Sequence, residues 1–166
     1  MTGQINVNKI AARTGTAINI ESGHKITGAA GSVTVPGQII QIVNNTSTTQ
    51  LTTSSTSFVI TDITVNITPT SSSNKILVIA TCPVYATGNH QIATIYRDST
   101  NIGASSWGIG AGTTNIICNP SAGILDSPNT TNQITYAVYT KNNGGSTSYA
   151  MINSSMGTIT AMEIAQ

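Results

Sequence analysis

Five carboxylates and two histidines are the whole acid–base inventory of this 166-residue chain: Glu21, Asp62, Asp98, Asp126 and Glu163, with His24 and His90. General acid–base catalysis needs two such groups converging on one reacting bond. These carboxylates are far apart in sequence, and no two have a spacing that sets them on one strand face. Asp62, Asp98 and Asp126 fall where strands end or turn, positions at which a short carboxylate accepts backbone N–H groups. His24 lies in a glycine-flanked stretch and His90 follows Gly88-Asn89; neither has a second histidine or an acid at metal-ligand spacing. Cys82 and Cys118 are the only cysteines, and their separation fits no zinc or redox motif, so they read as buried, reduced thiols. The run Gly108-Ile109-Gly110-Ala111-Gly112 has neither the following helix nor the lysine of a phosphate-binding loop and reads as a flexible hairpin tip. The expectation is a protein that is not an enzyme, with no catalytic residue, no metal and no cofactor; a sandwich-fold hydrolase is set aside for want of titratable pairs.

Recognition chemistry is better represented. Trp107 stands in the loop Ser105-Ser106-Trp107-Gly108-Ile109-Gly110, where an exposed indole can stack on a sugar ring, and Tyr139 and Tyr149 are candidates to flank it. Tyr136 and Tyr139 must point to opposite faces of one strand, so only one of them faces a core.

Charge narrows the class of partner. Only 7% of the residues are charged, against 39% hydrophobic, and the net charge is +1; an ordinary soluble domain carries roughly 25% charged residues. Polarity comes from 28 Thr, 18 Ser and 16 Asn. Surfaces without Lys and Glu suit a chain whose faces lie against other subunits. The many β-branched residues and the low net charge argue against disorder. Nucleic acid is not an expected partner, because the six basic residues are spread out with no aromatic interleaving. Membrane insertion is not expected either: no apolar run reaches the roughly 20 residues of a spanning helix, and Met1-Thr2-Gly3-Gln4 lacks a signal-peptide pattern, which implies synthesis in a cytoplasm.

Two regions position these groups. Residues 1–35 combine a short alternating piece, Ile5-Asn6-Val7-Asn8, with repeated interruption by Gly15, Gly23, Gly28 and Gly31, and cannot build a core of their own. They hold Lys9, Arg13 and Lys25 against Glu21 alone. An extended N-terminal arm that orders on a partner is the natural reading, with Ile5, Val7, Lys9, Ile10, Arg13 and Lys25 as attachment residues. Residues 36–166 are a succession of strand signals without a helical period. Ile63, Val65 and Ile67 alternate with polar residues up to Pro69, the pattern of a half-buried strand. Lys75 to Val84 is apolar on both alternating sets, which predicts a central strand covered on both sides. Further strands are predicted at 39–43, 56–61, 91–97, 114–118, 133–140, 147–152 and 157–164. About nine short strands with turns at regular spacing indicate an all-β, two-sheet β-sandwich of jelly-roll or immunoglobulin-like kind; Trp107 lies between Cys82 and Cys118 but in a glycine-rich loop and not a core strand, so the jelly-roll-like form is expected.

The segments Lys75-Ile76-Leu77-Val78, Tyr96-Arg97-Asp98-Ser99-Thr100-Asn101-Ile102-Gly103, Leu125-Asp126-Ser127-Pro128, Ile134-Thr135-Tyr136 and Ile159-Thr160-Ala161-Met162-Glu163-Ile164 resemble, in this order, the C-terminal β-domain of structural proteins from tailed phages, especially phages of cyanobacteria and other aquatic bacteria. Thr56-Ser57-Phe58 and Ile67-Thr68-Pro69 match the same pattern. The resemblance runs from about residue 36 to the end. It implies a homotrimeric sandwich displayed on the virion surface and no catalytic residue. Ile5-Asn6-Val7-Asn8-Lys9-Ile10 is similar to the attachment ends of such proteins. A tail fibre needs a long shaft, and no heptad or triple-helix repeat separates the arm from the sandwich here. The expected role is therefore a capsid decoration or cement protein, assembled in the host cytoplasm, whose arms bind the major capsid protein or other virion proteins. The alternative is a short tail fibre or tail-tip adhesin that binds a host surface glycan.

Overall fold

A computed structural model describes residues 33–166 together with Ser22 and Gly23. The predicted arm residues Ile5, Val7, Lys9, Ile10, Arg13 and Lys25 lie outside the described residues. The chain divides into two compact units, Met1–Val33 and Thr34–Gln166, and every described strand belongs to the second.

The strands, in chain order, are β1 (Ile39–Ser47), β2 (Leu51–Thr53), β3 (Val59–Ile67), β4 (Lys75–Thr81), β5 (Val84–Ala86), β6 (Gln91–Arg97), β7 (Thr100–Asn101), β8 (Gly110–Gly112), β9 (Ser121–Asp126), β10 (Ile134–Asn142), β11 (Ser148–Ala150) and β12 (Gly157–Ile164). The first sheet has the order β1-β12-β4-β9 and the second β3-β10-β6, with β7 and β8 both pairing with β6. All pairs are antiparallel. The pairings are nested: β6 with β8, β4 with β9, β3 with β10 and β1 with β12. The chain is thus one long antiparallel hairpin rolled into two facing sheets, which is the jelly roll. A small third sheet, β2-β11-β5, is not strand-paired to these two, but its Val84 and Ala150 join the common core.

Alternation explains which side chains meet between the sheets. Ile63, Val65 and Ile67 of β3, Ile76, Val78 and Ala80 of β4, Ala93 and Ile95 of β6, Tyr136 and Val138 of β10, and Ile159 and Ala161 of β12 form the core. Full burial of one such Ile or Val contributes about 1.5–3 kcal/mol. Pro69 follows the end of β3 as its missing N–H requires.

Four expectations are corrected. The strand predicted over 75–84 ends at Thr81, as β4, and although central in its sheet it is not covered on both sides, since Ile79 is 41% exposed on the outer face. The segments 56–61 and 63–67 are a single strand, β3; a register shift opposite Ala137 and Tyr139 absorbs its extra residues, and Thr61 Oγ1 donates to the Val138 carbonyl there at 2.8 Å. Asp62 is accordingly a mid-strand residue. Residues 114–118 make only isolated bridges to β5, while the neighbouring Ser121–Asp126 is a strand that was not expected. The glycine run is no loose tip: Gly108 has φ +57, and a Cβ there would strike the Ala93 carbonyl, so glycine is needed for the chain to enter β8 against β6.

Candidate functional site

The four carboxylates of the described sandwich are engaged in structural bonds. Asp62 Oδ2 accepts from Ser47 Oγ at 2.9 Å. Asp98, in a left-handed turn conformation (φ 50), accepts the Thr135 N–H at 2.9 Å, the turn role expected of it. Asp126 ends β9, and its partners are side chains from the opposite sheet: Arg97 Nη1 donates to both its oxygens at 2.9 Å, and Tyr136 Oη donates to Oδ2 at 2.6 Å. This pin joins β9 to β6 and β10. Burial and the Asp126 carboxylate drive the Tyr136 hydroxyl far above the usual phenol range, so Tyr136 keeps its proton and acts as a donor.

Glu163 is fully buried and, among the described residues, makes no salt bridge. Thr70 N–H (2.7 Å), Thr70 Oγ1 (2.8 Å) and Asn74 Nδ2 (2.7 Å) donate to one oxygen, and Gln41 Nε2 donates to the other at 2.6 Å. Burial alone raises the pKa of a carboxyl, but the bonds from Asn74, Gln41 and Thr70 outweigh it and hold Glu163 below its ordinary value. The charge ties β1, the β3–β4 connection and β12 together. Cys82 is buried and its thiol is pushed up to about 12 by that burial. Both cysteines are free thiols, but Cys118 is only half-buried, against the expectation that both are buried.

Trp107, Tyr139 and Tyr149 belong to three different aromatic pairs. Trp107, half-exposed in its loop, meets the His90 ring edge-on with centroids 5.4 Å apart. Tyr149 of β11 packs on Tyr85 of β5 at 6.0 Å. Tyr139 of β10 stacks on Tyr96 of β6 at 4.0 Å with a 27° interplanar angle. Register explains this last pair, because Tyr139 lies opposite Thr94 and Ala137 opposite Tyr96, which makes the two tyrosines diagonal neighbours. Phe58 meets Tyr96 edge-on at 6.1 Å, and Lys141 Nζ sits 4.6 Å above the Phe58 ring. Ile60, opposite Tyr139, is 51% exposed beside them. An aromatic platform with one cation therefore occupies the outer face of the second sheet. Sequence reading found Tyr139 but missed Phe58, Tyr96 and Lys141, whose grouping depends on cross-strand register.

The outer face of the first sheet is different in kind. Ile42 is opposite Met162, Met162 opposite Leu77, and Leu77 opposite Leu125, an apolar row across all four strands. Ile79 stands in the next row, and a third row, Thr46-Thr158-Thr81-Ser121, is wholly hydroxylated. Ile42 is 57% and Leu125 54% exposed.

No protein-family model and no curated protein matches the chain. Among solved structures, the VP2 subviral particle of infectious bursal disease virus matches with a TM-score of 0.49 and 15% identity, over 85% of this chain and 37% of that one. The Gx strain of the same virus matches with a TM-score of 0.46 and 14% identity, over 85% and 37% of the two chains. The chain spans little more than a third of the length of these neighbours, and function does not follow from likeness of this degree.

Proposed function

We propose that the chain is a virion structural protein, a homotrimeric capsid decoration subunit of a tailed phage. In this reading residues 1–35 attach it to the major capsid protein or other virion proteins, and the jelly roll projects from the particle surface. The observation that carries the reading is the state of the two outer sheet faces: both expose apolar or aromatic rows, while the carboxylates of the sandwich are consumed by internal bonds. Such a surface is built to be covered, and the work it does is binding. Repeated weak contacts from many copies then reinforce a shell through multivalency.

A second reading, a short tail fibre or adhesin for a host glycan, is favoured by the Phe58-Tyr96-Tyr139 platform, since pyranose C–H faces stack on such rings. Cryo-electron microscopy of intact particles separates the two. A capsid-wide lattice of knobs is the expected result, a few tail-attached copies would favour the adhesin, and particles lacking the protein would overturn both. Deleting residues 1–30 is expected to leave a folded β-domain, read by circular dichroism, that no longer binds particles; undiminished binding refutes the attachment role of that segment.

A further inference from the structure

We infer that the outer face of the first sheet is a self-association face, covered by two further copies of this chain arranged around a threefold axis parallel to its strands. The inference deepens the homotrimer reading and rests on it for the number of copies; the choice of face comes from the structure.

The row Ile42-Met162-Leu77-Leu125, with Ile79 beside it, makes a continuous apolar surface on an otherwise regular four-stranded sheet. Four strands at ~4.8 Å spacing, each ~7 residues long at ~3.3 Å, give a face about 19 Å wide and roughly 400 Å² in projection. The apolar row and Ile79 take up part of that area, shared with Asn44, Thr160 and Gly123 in the Ile79 row, and the whole face is what packs against a partner. It falls short of the ~800 Å² that each partner buries in a standard pairwise interface, so a single face-to-face pair is a weak complex. A closed trimer buries three such faces at once.

The dimensions suit that closure. Three sheets around an axis form a prism, and keeping the edge strands of neighbouring copies ~4.8 Å apart at each corner requires a side of about 24 Å, which places each sheet about 7 Å from the axis. Face-packed sheets are ~10 Å apart, or ~5 Å from their midplane, so the side chains of three such faces reach most of the way to the axis. Rotation about an axis along the strands preserves strand direction. β1 and β9, the two edges of the sheet, are antiparallel to each other because three antiparallel pairings separate them. At each corner of the prism β1 of one copy therefore meets β9 of the next with the polarity of every other pair in the sheet, and the edges that would otherwise invite uncontrolled pairing are closed off.

Electrostatics point to a copy of the same chain as the occupant. Lys75, at the margin, is the one charged side chain on this face among the described residues, since Asp126 and Glu163 point inward. A charged partner would gain nothing there and would lose its own hydration. The hydroxyl row Thr46-Thr158-Thr81-Ser121 both donates and accepts, so it is complementary to itself.

Sedimentation of the full-length chain at micromolar concentration tests the inference, with the variant Ile79→Lys/Leu125→Lys and the control Ile60→Lys on the other sheet. The expected result is a trimer for the wild type and the control, unchanged between 0.1 M and 1 M salt, and a monomer with an unaltered β-sheet spectrum for the double variant. A wild-type monomer, a dimer, or a trimer that persists in the double variant overturns the inference, as does dissociation by Ile60→Lys alone. Should the double variant fail to fold, Ile79→Cys with a short bismaleimide replaces it: intermolecular cross-links above the wild-type background are expected, and their absence overturns the proposal. A trimer that depends on this face in a protein never found on particles would sink the virion reading and leave the face standing. Particles that carry the protein while the double variant remains trimeric would do the reverse.

Discussion

The two faces of β4 carry the same kind of side chain and meet opposite fates. Ile76, Val78 and Ala80 are sealed beneath the second sheet, while Leu77 and Ile79, one residue out of phase, stand on the outer face. Their hydrophobicity does not differ enough to account for this. What differs is the neighbour: the inner set meets Ile63, Val65 and Tyr136 from the facing sheet, and the outer set meets only its own row. Apolar character qualifies a residue for burial, and the arrangement of the other elements decides which qualified residues are buried and which stand on the surface.

The largest effect should come from charging one face and then the other. Ile76→Asp is expected to abolish folding, because an unpaired carboxylate in that position costs several kcal/mol out of a typical total of roughly 5–15. Ile79→Asp, with solvent on one side, should cost about 1 kcal/mol in the isolated domain and leave cooperative urea unfolding intact. Equal damage from the two substitutions would erase the distinction between the faces.

Next in size is the charge already buried on the inner side. Glu163→Ala leaves the donors on Thr70, Asn74 and Gln41 without an acceptor and is expected to cost about 3 kcal/mol in urea unfolding at neutral pH. Because the folded-state pKa of Glu163 is depressed, the stability it contributes is fully present above the unfolded value of about 4.3 and is lost as pH falls through the lower folded value. Glu163→Gln should accordingly flatten the acid limb of the stability profile below about pH 4. A profile identical to that of the wild type would mean that some other carboxylate governs acid unfolding.

The smallest effects compare the two faces of β10. Tyr136→Phe removes the hydroxyl that donates to Asp126 inside the sandwich and should cost about 1–2 kcal/mol. Tyr139→Leu breaks the stack on Tyr96 at the outer surface and should cost about 0.5 kcal/mol. Differential scanning calorimetry of both variants checks the order, which reverses if the platform contributes more to folding than the interior pin does.

Much of the architecture was legible from side-chain periodicity. The alternation of Ile63, Val65 and Ile67, the strand at 157–164, the opposite orientations of Tyr136 and Tyr139, and the all-β sandwich as a whole follow from a period of two that local residues impose on their own strand. β9 was missed because Ser121-Ala122-Gly123 has weak strand propensity and takes its extended form from pairing with β4. The tight pairing of Gly108–Gly112 with β6 was missed because glycine marks a close approach and a loose loop with the same letter.

The surfaces were less legible, for a physical reason. Composition alone established that the chain has few charged residues to place on its exterior. Cross-strand register then decided what that exterior looks like. It drew Tyr139 away from Trp107 and onto Tyr96, set Lys141 above Phe58, aligned Ile42, Met162, Leu77 and Leu125 in one row, and turned Asp126 toward Arg97 and Tyr136. Each of these contacts joins residues from different strands. A periodicity confined to one strand fixes which way a side chain points, and only the rolled hairpin determines what it meets there.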